Sequence, residues 1–516
     1  MKSFAIDRWD TFFSSEFLKD YYLTDKLDAF RSYKPEIGEA AKAIESKENF
    51  SSEKRLTLVK LLKEQYQESG IALEGLFSEN ISHLKQDNTF TVTTGQQIHV
   101  GLGPMYVLYK ALDTIVIASE LKEKHPEHNF VPVFWMATED HDLEEIASVK
   151  LFGKTITWET EQGGAVGRMT TEGLPELWAQ IRSDFNFSAE QLAFIDTCED
   201  IYKNAPNLSI AFRQLLHYYL GHLGIVILDP DNRELKESFA EVMINDLQQS
   251  HSEVLHVYTR KLEEKGYASQ LHIRDCNLFE LSANSRERIT RKYSAEEAGK
   301  YVEDISLELS PNAALRPLYQ EWILPNIVYV GGPSELKYWM QLKGIFNNYE
   351  LPVPILHLRT SAILIPQNVT HVKSITDIEK LFDTEEQIVG LFSEELRRLK
   401  SDLDTYSSSI VTSLERFKDF AEVSFPGFSL DAKIKKITPK LDGLNALISE
   451  QIELKAKQNK GVNKVLKTRA KFFNPSYVQE RQVHLIEWMQ DIYDLSENAQ
   501  EVFGFRSAKK ISVNFL

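Results

Sequence analysis

The feature that most constrains this chain is a recurring unit, in which an apolar, β-branched run stops at a glycine-bearing or polar loop and continues as a helix. The run Thr89-Phe-Thr-Val-Thr-Thr94 leads into a loop with Gly95, Gly101 and Gly103, and Pro104 opens a helical stretch to about Lys124. A second run at 130–137 ends in Thr138-Glu-Asp-His-Asp142, and a third at 224–229 runs into Pro230-Asp-Asn232 and an acidic helix. A fourth at 326–330 breaks at Gly331-Gly332-Pro333 before a helix over 334–346, and 352–358 reads as a fifth. Strands apolar on both sides and separated by helices belong to a parallel sheet covered on both faces, which predicts an α/β fold.

The spacing between these units predicts the rest of the architecture. About 80 residues separate the second and third strands and about 95 the third and fourth, more than crossovers require, so insertions are expected at about 145–222 and 252–322. The stretch near 145–170 is β-rich, and 267–310 also alternates. Residues 1–88 read as a helical lead-in packed on the core, with Leu56, Val59, Leu62 and Tyr66 at helical spacing. The core spans 89–375. Over 376–469 the period becomes heptad-like, through Phe392, Leu396, Leu399, Leu403, Tyr406, Ile410, Leu414 and Phe417, then Ile434, Ile437, Leu441, Leu444, Ile448 and Lys455. The turn Ser424-Phe-Pro-Gly-Phe428 between them predicts an antiparallel coiled-coil hairpin, with 470–516 returning to the core. With 516 residues the chain is long enough for two or three such units.

A net charge of −17 repels nucleic acid and anionic membrane surfaces, so neither is expected as a partner. Only Cys198 and Cys276 are present, both in the inserted segments, which fits packing in a reducing compartment rather than a disulfide framework or a nucleophile. The first residues lack a signal-peptide core and no stretch approaches the roughly 18 apolar residues of a membrane span. A cytoplasmic protein is expected.

Ligands of open parallel sheets bind beyond the carboxyl ends of the strands, and three loops there carry chemistry. In the first, Thr94, Gly95 and Gly103 admit close backbone approach, Gln96 and Gln97 can orient a polyol or carboxylate, and Tyr106 and Lys110 share a helix face aimed at an anion. The alternative is a tyrosine and a lysine that line the surface. In the second, His141 beside Glu139 and Asp142 suits proton transfer and amine binding, or else acids decorating a helix N-terminus. No cysteine or second histidine stands at ligand spacing, so no metal site is assigned. In the third, Gly331 and Gly332 tighten a turn while Glu335 and Tyr338 lie on one helix face, where Glu335 binds substrate or caps the helix. The basic run Arg286-Glu-Arg-Ile-Thr-Arg-Lys292 reads as a solvated turn, or as a patch that attracts an anionic substrate.

The ordered set Thr94-Gly-Gln-Gln97, Gly103-Pro-Met-Tyr-Val-Leu-Tyr-Lys110, Val131-Pro-Val-Phe-Trp135 with Glu139-Asp-His-Asp142, and Tyr329-Val-Gly-Gly-Pro-Ser-Glu335 resembles the cysteine ligases of bacillithiol biosynthesis, the BshC family. The resemblance covers the whole chain. It implies a Rossmann-like core with two connecting-peptide insertions, related to class I nucleotidyltransferases, and a coiled coil that makes a homodimer. It also implies ligation of L-cysteine to glucosaminyl-malate, giving bacillithiol. The resemblance makes the three loops the candidate pocket, and His99, outside the shared motifs, takes no role. The His-Ile-Gly-His and lysine-serine signatures of class I synthetases are absent, so no cofactor is assigned; ATP or another nucleotide would serve to activate the acid. Lys110 and the helix N-terminus after Gly103 are expected to stabilise an anion, Glu139, His141 and Asp142 to bind the amine and move protons, and Gln96 and Gln97 to position substrate. The rival readings are another amide ligase or nucleotidyltransferase, and a non-catalytic coiled-coil scaffold.

Overall fold

A computed structural model describes residues 2–366, and from there to the C-terminus all but 367, 368, 370–373, 386, 389–393, 426, 428, 459, 505–507 and 516. The five runs form one parallel sheet of β1 (Thr89–Gln96), β2 (Asn129–Met136), β3 (Val226–Leu228), β4 (Asn326–Gly331) and β5 (Ile355–Leu358), in the order β5-β4-β1-β2-β3. Nearly every strand residue is buried, because helices cover both faces. The core joins Phe90, Val92, Phe130, Ile327, Val328 and Val330 to Ile117, Ala118 and Leu121 of α1 (Met105–Lys124). Each large apolar side chain so buried contributes on the order of 2 kcal/mol.

Polar residues between β1 and β4 are paired in this interior. Asn326 accepts from Thr91 (3.1 Å) and Thr93 (2.8 Å), and donates to Glu321 (2.7 Å), which also meets Lys47 at 3.2 Å. Unpaired, each group would cost a few kcal/mol.

The chain runs from β1 outward to β2 and β3, then returns to the other side of β1 as β4 and β5. The connections therefore diverge between β1 and β4, and the carboxyl ends of these two strands open a crevice. This topology alone positions the site.

The first insertion holds the hairpin Ser148–Leu151 with Lys154–Thr157, followed by the helices Leu174–Asp184, Ala189–Asn204 and Leu208–Leu220. The second holds a three-stranded antiparallel sheet of Arg286–Arg288, Leu278–Leu281 and Leu309–Pro311. The lead-in is helical in Glu16–Leu23, Ala40–Glu45, Ser52–Glu68 and Gly75–His83, although Leu56 faces solvent while Leu58, Val59, Leu61 and Leu62 are buried. Its first residues depart from the helical reading: Lys2–Asp7 is a strand, antiparallel to Lys510–Phe515, with Ile6 opposite Ile511. Among the described residues no helix is long and apolar enough to cross a membrane.

Two compact units result, residues 1–363 with 479–516, and residues 364–478. The second unit contains two long helices, α3 (Glu394–Ser424) and α4 (Asp431–Lys457). Ser407 bonds Asn445 at 2.7 Å and Lys418 meets Asp431 at 2.6 Å, so the helices run antiparallel. Their less exposed stripe follows Leu403, Ser407, Val411, Leu414, Lys418 and Ala421 on α3, and Ile434, Thr438, Leu441, Asn445 and Ile448 on α4. Tyr406, Ile410, Phe417, Ile437 and Leu444, which the heptad reading put in the seam, are instead exposed. Phe392, Pro426 and Phe428 lie outside the described residues.

Candidate functional site

A cavity of about 470 Å³ opens at the divergence between β1 and β4. Gly95, Gln96 and Gln97 from the end of β1, Tyr106 from α1, and Gly332, Glu335 and Tyr338 from the start of α2 (Pro333–Gln341) all line it. Seven of the residues singled out from the sequence therefore share one wall system.

Lys110 joins these loops from behind. It is fully buried, and its ammonium donates to Gly95 O (2.5 Å), Gln96 Oε1 (3.1 Å) and both oxygens of Glu335 (3.0 and 2.9 Å). Burial pulls the Lys110 pKa down, with Glu335 opposing the shift. Burial pushes the Glu335 carboxyl up, but Lys110, the Gly332 N–H and the Tyr329 hydroxyl outweigh it and hold the group below the usual range. Glu335 thus caps the start of α2 by accepting from the Gly332 N–H at 2.7 Å, as the capping reading expects, and it also lines the cavity.

Two expectations for this loop need correction. Lys110 faces its four acceptors, not the cavity, and so cannot meet an anion there directly. The α1 N-terminus is engaged too, since the Met105 N–H donates to Val483 O (3.1 Å) and that of Val107 to Pro104 O (3.0 Å). Thr94 and the remaining glycines shape the site from outside. Thr94 Oγ1 donates to Val330 O at 2.8 Å, tying β1 to β4. Gly103 has φ +68°, and a Cβ there would stand 2.5 Å from the His99 side chain, while a Cβ on Gly331 would meet the Tyr329 ring at 2.9 Å.

The acidic cluster after β2 divides. Glu139 is buried against Lys236 at 2.7 Å, and Asp142 caps the short helix Leu143–Ile146 through the Glu145 N–H at 3.0 Å. His141 is exposed beside Asp140 (3.4 Å) and Arg286 (3.2 Å). None of the three lines the cavity, which corrects the catalytic roles expected of them. The residue of this cluster that touches the cavity wall is Asp140, which accepts from Gln97 Nε2 (2.7 Å) and stands 3.5 Å from Arg316 and 3.1 Å from Arg286. Burial would raise its pKa, but the two guanidinium groups prevail and hold it at about 2. Arg286 is no solvated turn. Its guanidinium is buried, bonded to Ser310 and Pro311 O, and stacked 4.1 Å above the Phe279 ring.

Three arginines in the cavity wall were missed, since each is isolated in sequence: Arg316 in the second insertion, Arg359 just after β5, and Arg481 near the C-terminus. Applying the strand-end rule to β5 as well would have found Arg359. Glu480 holds it at 2.8 Å, with its guanidinium 5.3 Å above the Tyr106 ring. The indole N–H groups of Trp135 and Trp339 and the Oε1 of Gln97, all on buried cavity-lining residues, find no hydrogen-bond partner among the described residues. A buried donor or acceptor without a partner costs about 1–3 kcal/mol.

Residues 1–360 match the family described as bacillithiol biosynthesis BshC, N-terminal Rossmann-like domain. Proteins named "Putative cysteine ligase BshC" are similar over most of the chain. The one from Flavobacterium psychrophilum is 33% identical over 91% of this chain and 93% of its own length. Those from Christiangramia forsetii and Cytophaga hutchinsonii are 33% and 35% identical, over 90% and 75% of each chain respectively.

Proposed function

The chain belongs to the BshC family of bacillithiol biosynthesis, and from that membership we propose that it is an amide ligase joining the carboxyl group of L-cysteine to the amino group of glucosaminyl-malate. The observation that carries the reading is the wall of Arg316, Arg359 and Arg481 around a cavity that Gln96, Gln97 and Tyr338 also line. Guanidinium groups suit the two carboxylates of a malyl group, and neutral donors suit sugar hydroxyls. Glu480 fixes one of these guanidinium groups over Tyr106, so its orientation is set before substrate arrives.

In this reading Gln96, Gln97, Tyr106, Glu335 and Tyr338 contact substrate, with Gly95 and Gly332 allowing close approach. Lys110 is a positioning residue that locks the β1 and β4 loops together, and Asp140 orients Gln97 and Arg316. Amide formation from a free carboxylate is uphill in water, so the cysteine carboxyl must be activated, and ATP is the activator we propose to supply. Two buried free cysteines support a reducing cytoplasmic setting. The exposed apolar row on α3 supports a homodimer built by these long helices.

The test is incubation of the purified protein with L-cysteine, glucosaminyl-malate and ATP, with mass detection of bacillithiol. Product that needs all three supports the ligase. Product with a different amine only would favour another amide ligase, and no product with any would favour a scaffold.

A further inference from the structure

We infer that a second, smaller cavity beside the first is the subsite for the amino-acid partner, a small zwitterion, and that the wall between the two cavities is where the reacting carboxyl and amine groups meet. This rests on the ligase reading above. The second cavity measures about 330 Å³ and shares Tyr106, Glu145 and Arg481 with the first. The common wall thus presents one cation, one anion and one phenol to both spaces. In the bound complex a cation holds the carboxylate and an anion holds the ammonium. Once the carboxyl is activated, as the ligase reading requires, the ammonium passes a proton to that anion and the neutral amine displaces the activating group, so the two groups must lie side by side. Arg481 and Glu145 supply that pair at a wall shared by both cavities.

Glu145 is suited to the part because it has no cationic partner of its own. Among the described residues its nearest ion-pair neighbour is His99 at 3.7 Å, an imidazole that burial holds neutral, with its pKa near 4. Burial, with Asp142 and Asp140 nearby, raises the Glu145 carboxyl, while Arg316 opposes. The remainder of the smaller cavity has the complement of an α-amino acid: Glu144 for the ammonium, and Lys150 with Ser148 and Gln482 as further polar contacts. Its far side is held in place, because Pro104 and His484 pair as a β-bridge and the Leu485 N–H donates to Gly103 O at 3.5 Å.

Calorimetric titration of the full-length protein tests this, with L-cysteine as probe of the smaller cavity and malate as probe of the larger. Ser148→Phe, which would fill the smaller space, and Lys150→Met, an exposed and structurally mild change, are the variants. We expect Ser148→Phe to weaken L-cysteine binding at least tenfold and Lys150→Met several-fold, both leaving the malate Kd within twofold of wild type. L-cysteine affinity unchanged in Lys150→Met and in a Ser148→Phe protein with native circular dichroism would overturn the subsite. Direct competition between L-cysteine and malate would overturn it too, and needs no variant. A wild-type protein that binds both probes in this pattern but makes no product would support the subsite while removing the ligase reading.

Discussion

A lysine without water must bring its charge to an acceptor, and Lys110 shows how that requirement becomes architecture. Its four acceptors come from two loops more than 200 residues apart, so a single ammonium fixes their separation. Removing one partner of a buried ion pair leaves the other charge uncompensated, typically at a cost of about 3–5 kcal/mol. Lys110→Met should therefore lose about that much in urea denaturation, and the double variant Lys110→Met/Glu335→Gln should be more stable than the single one. The sequence made Lys110 legible through its helical register with Tyr106, but not its direction, because Glu335 lies beyond any local pattern. A second residue-scale effect concerns pH. Buried His99 and His484 titrate near 4 in the folded chain against 6.5 ordinarily, so the unfolded chain binds protons more readily between those values. Stability is intact above pH 6.5 and falls as pH drops toward 4, by roughly 3 kcal/mol per imidazole. Melting temperatures between pH 7 and 4 should show this loss, and His484→Gln should flatten the profile; an unchanged slope would remove the assignment. Asp140 acts in a separate, lower window, because its carboxylate is stabilised down to about pH 2.

At the scale of elements, the hairpin turn at Gly153 in the first insertion and the glycine loop after β1 separate two costs that are often confused. Gly153 has φ +80° and open space around it, so Gly153→Ala should lose only about 1 kcal/mol of backbone strain. Gly103 has φ +68° with the His99 side chain 2.5 Å from an added Cβ, so Gly103→Ala adds a clash to the same strain. Its melting temperature should fall well below that of Gly153→Ala, and malate binding should weaken, since His99 and Tyr106 move with the loop. Equal melting temperatures would mean that the loop yields freely. The loop after β1 was legible because a β-branched run stops at its glycines and a helix follows, a pattern that local residues alone produce. The strand Lys2–Asp7 was not, because its partner Lys510–Phe515 lies at the opposite end of the chain and its few apolar residues fit a helix equally well. The arginine wall was illegible for the same reason, as tertiary structure alone brings Arg316, Arg359 and Arg481 together.

At the scale of the whole molecule, the heptad signal of α3 was read correctly as helical but conceals two apolar rows. One follows Leu403, Val411, Leu414 and Ala421 and is the less exposed. The other follows Tyr406, Ile410, Phe417 and Phe420, with Phe417 59% and Phe420 67% exposed. Periodicity identifies both rows without ranking them, which is why the expected seam mixes Leu403 and Leu414 of the first row with Tyr406, Ile410 and Phe417 of the second. An exposed aromatic row is costly in water, and a second copy of the same helix would cover it with a matching row. Light scattering should then give twice the 59.4 kDa of one chain, and Phe417→Glu/Phe420→Glu should halve it. A wild-type mass of 59.4 kDa at micromolar concentration would end the dimer proposal. The cavity residues all fall within residues 1–363 and 479–516, so the charged variant should keep its turnover number as it dissociates. If ligation were lost in step with dissociation, the partner chain would have to supply a group to the site, and the catalytic unit would be the pair.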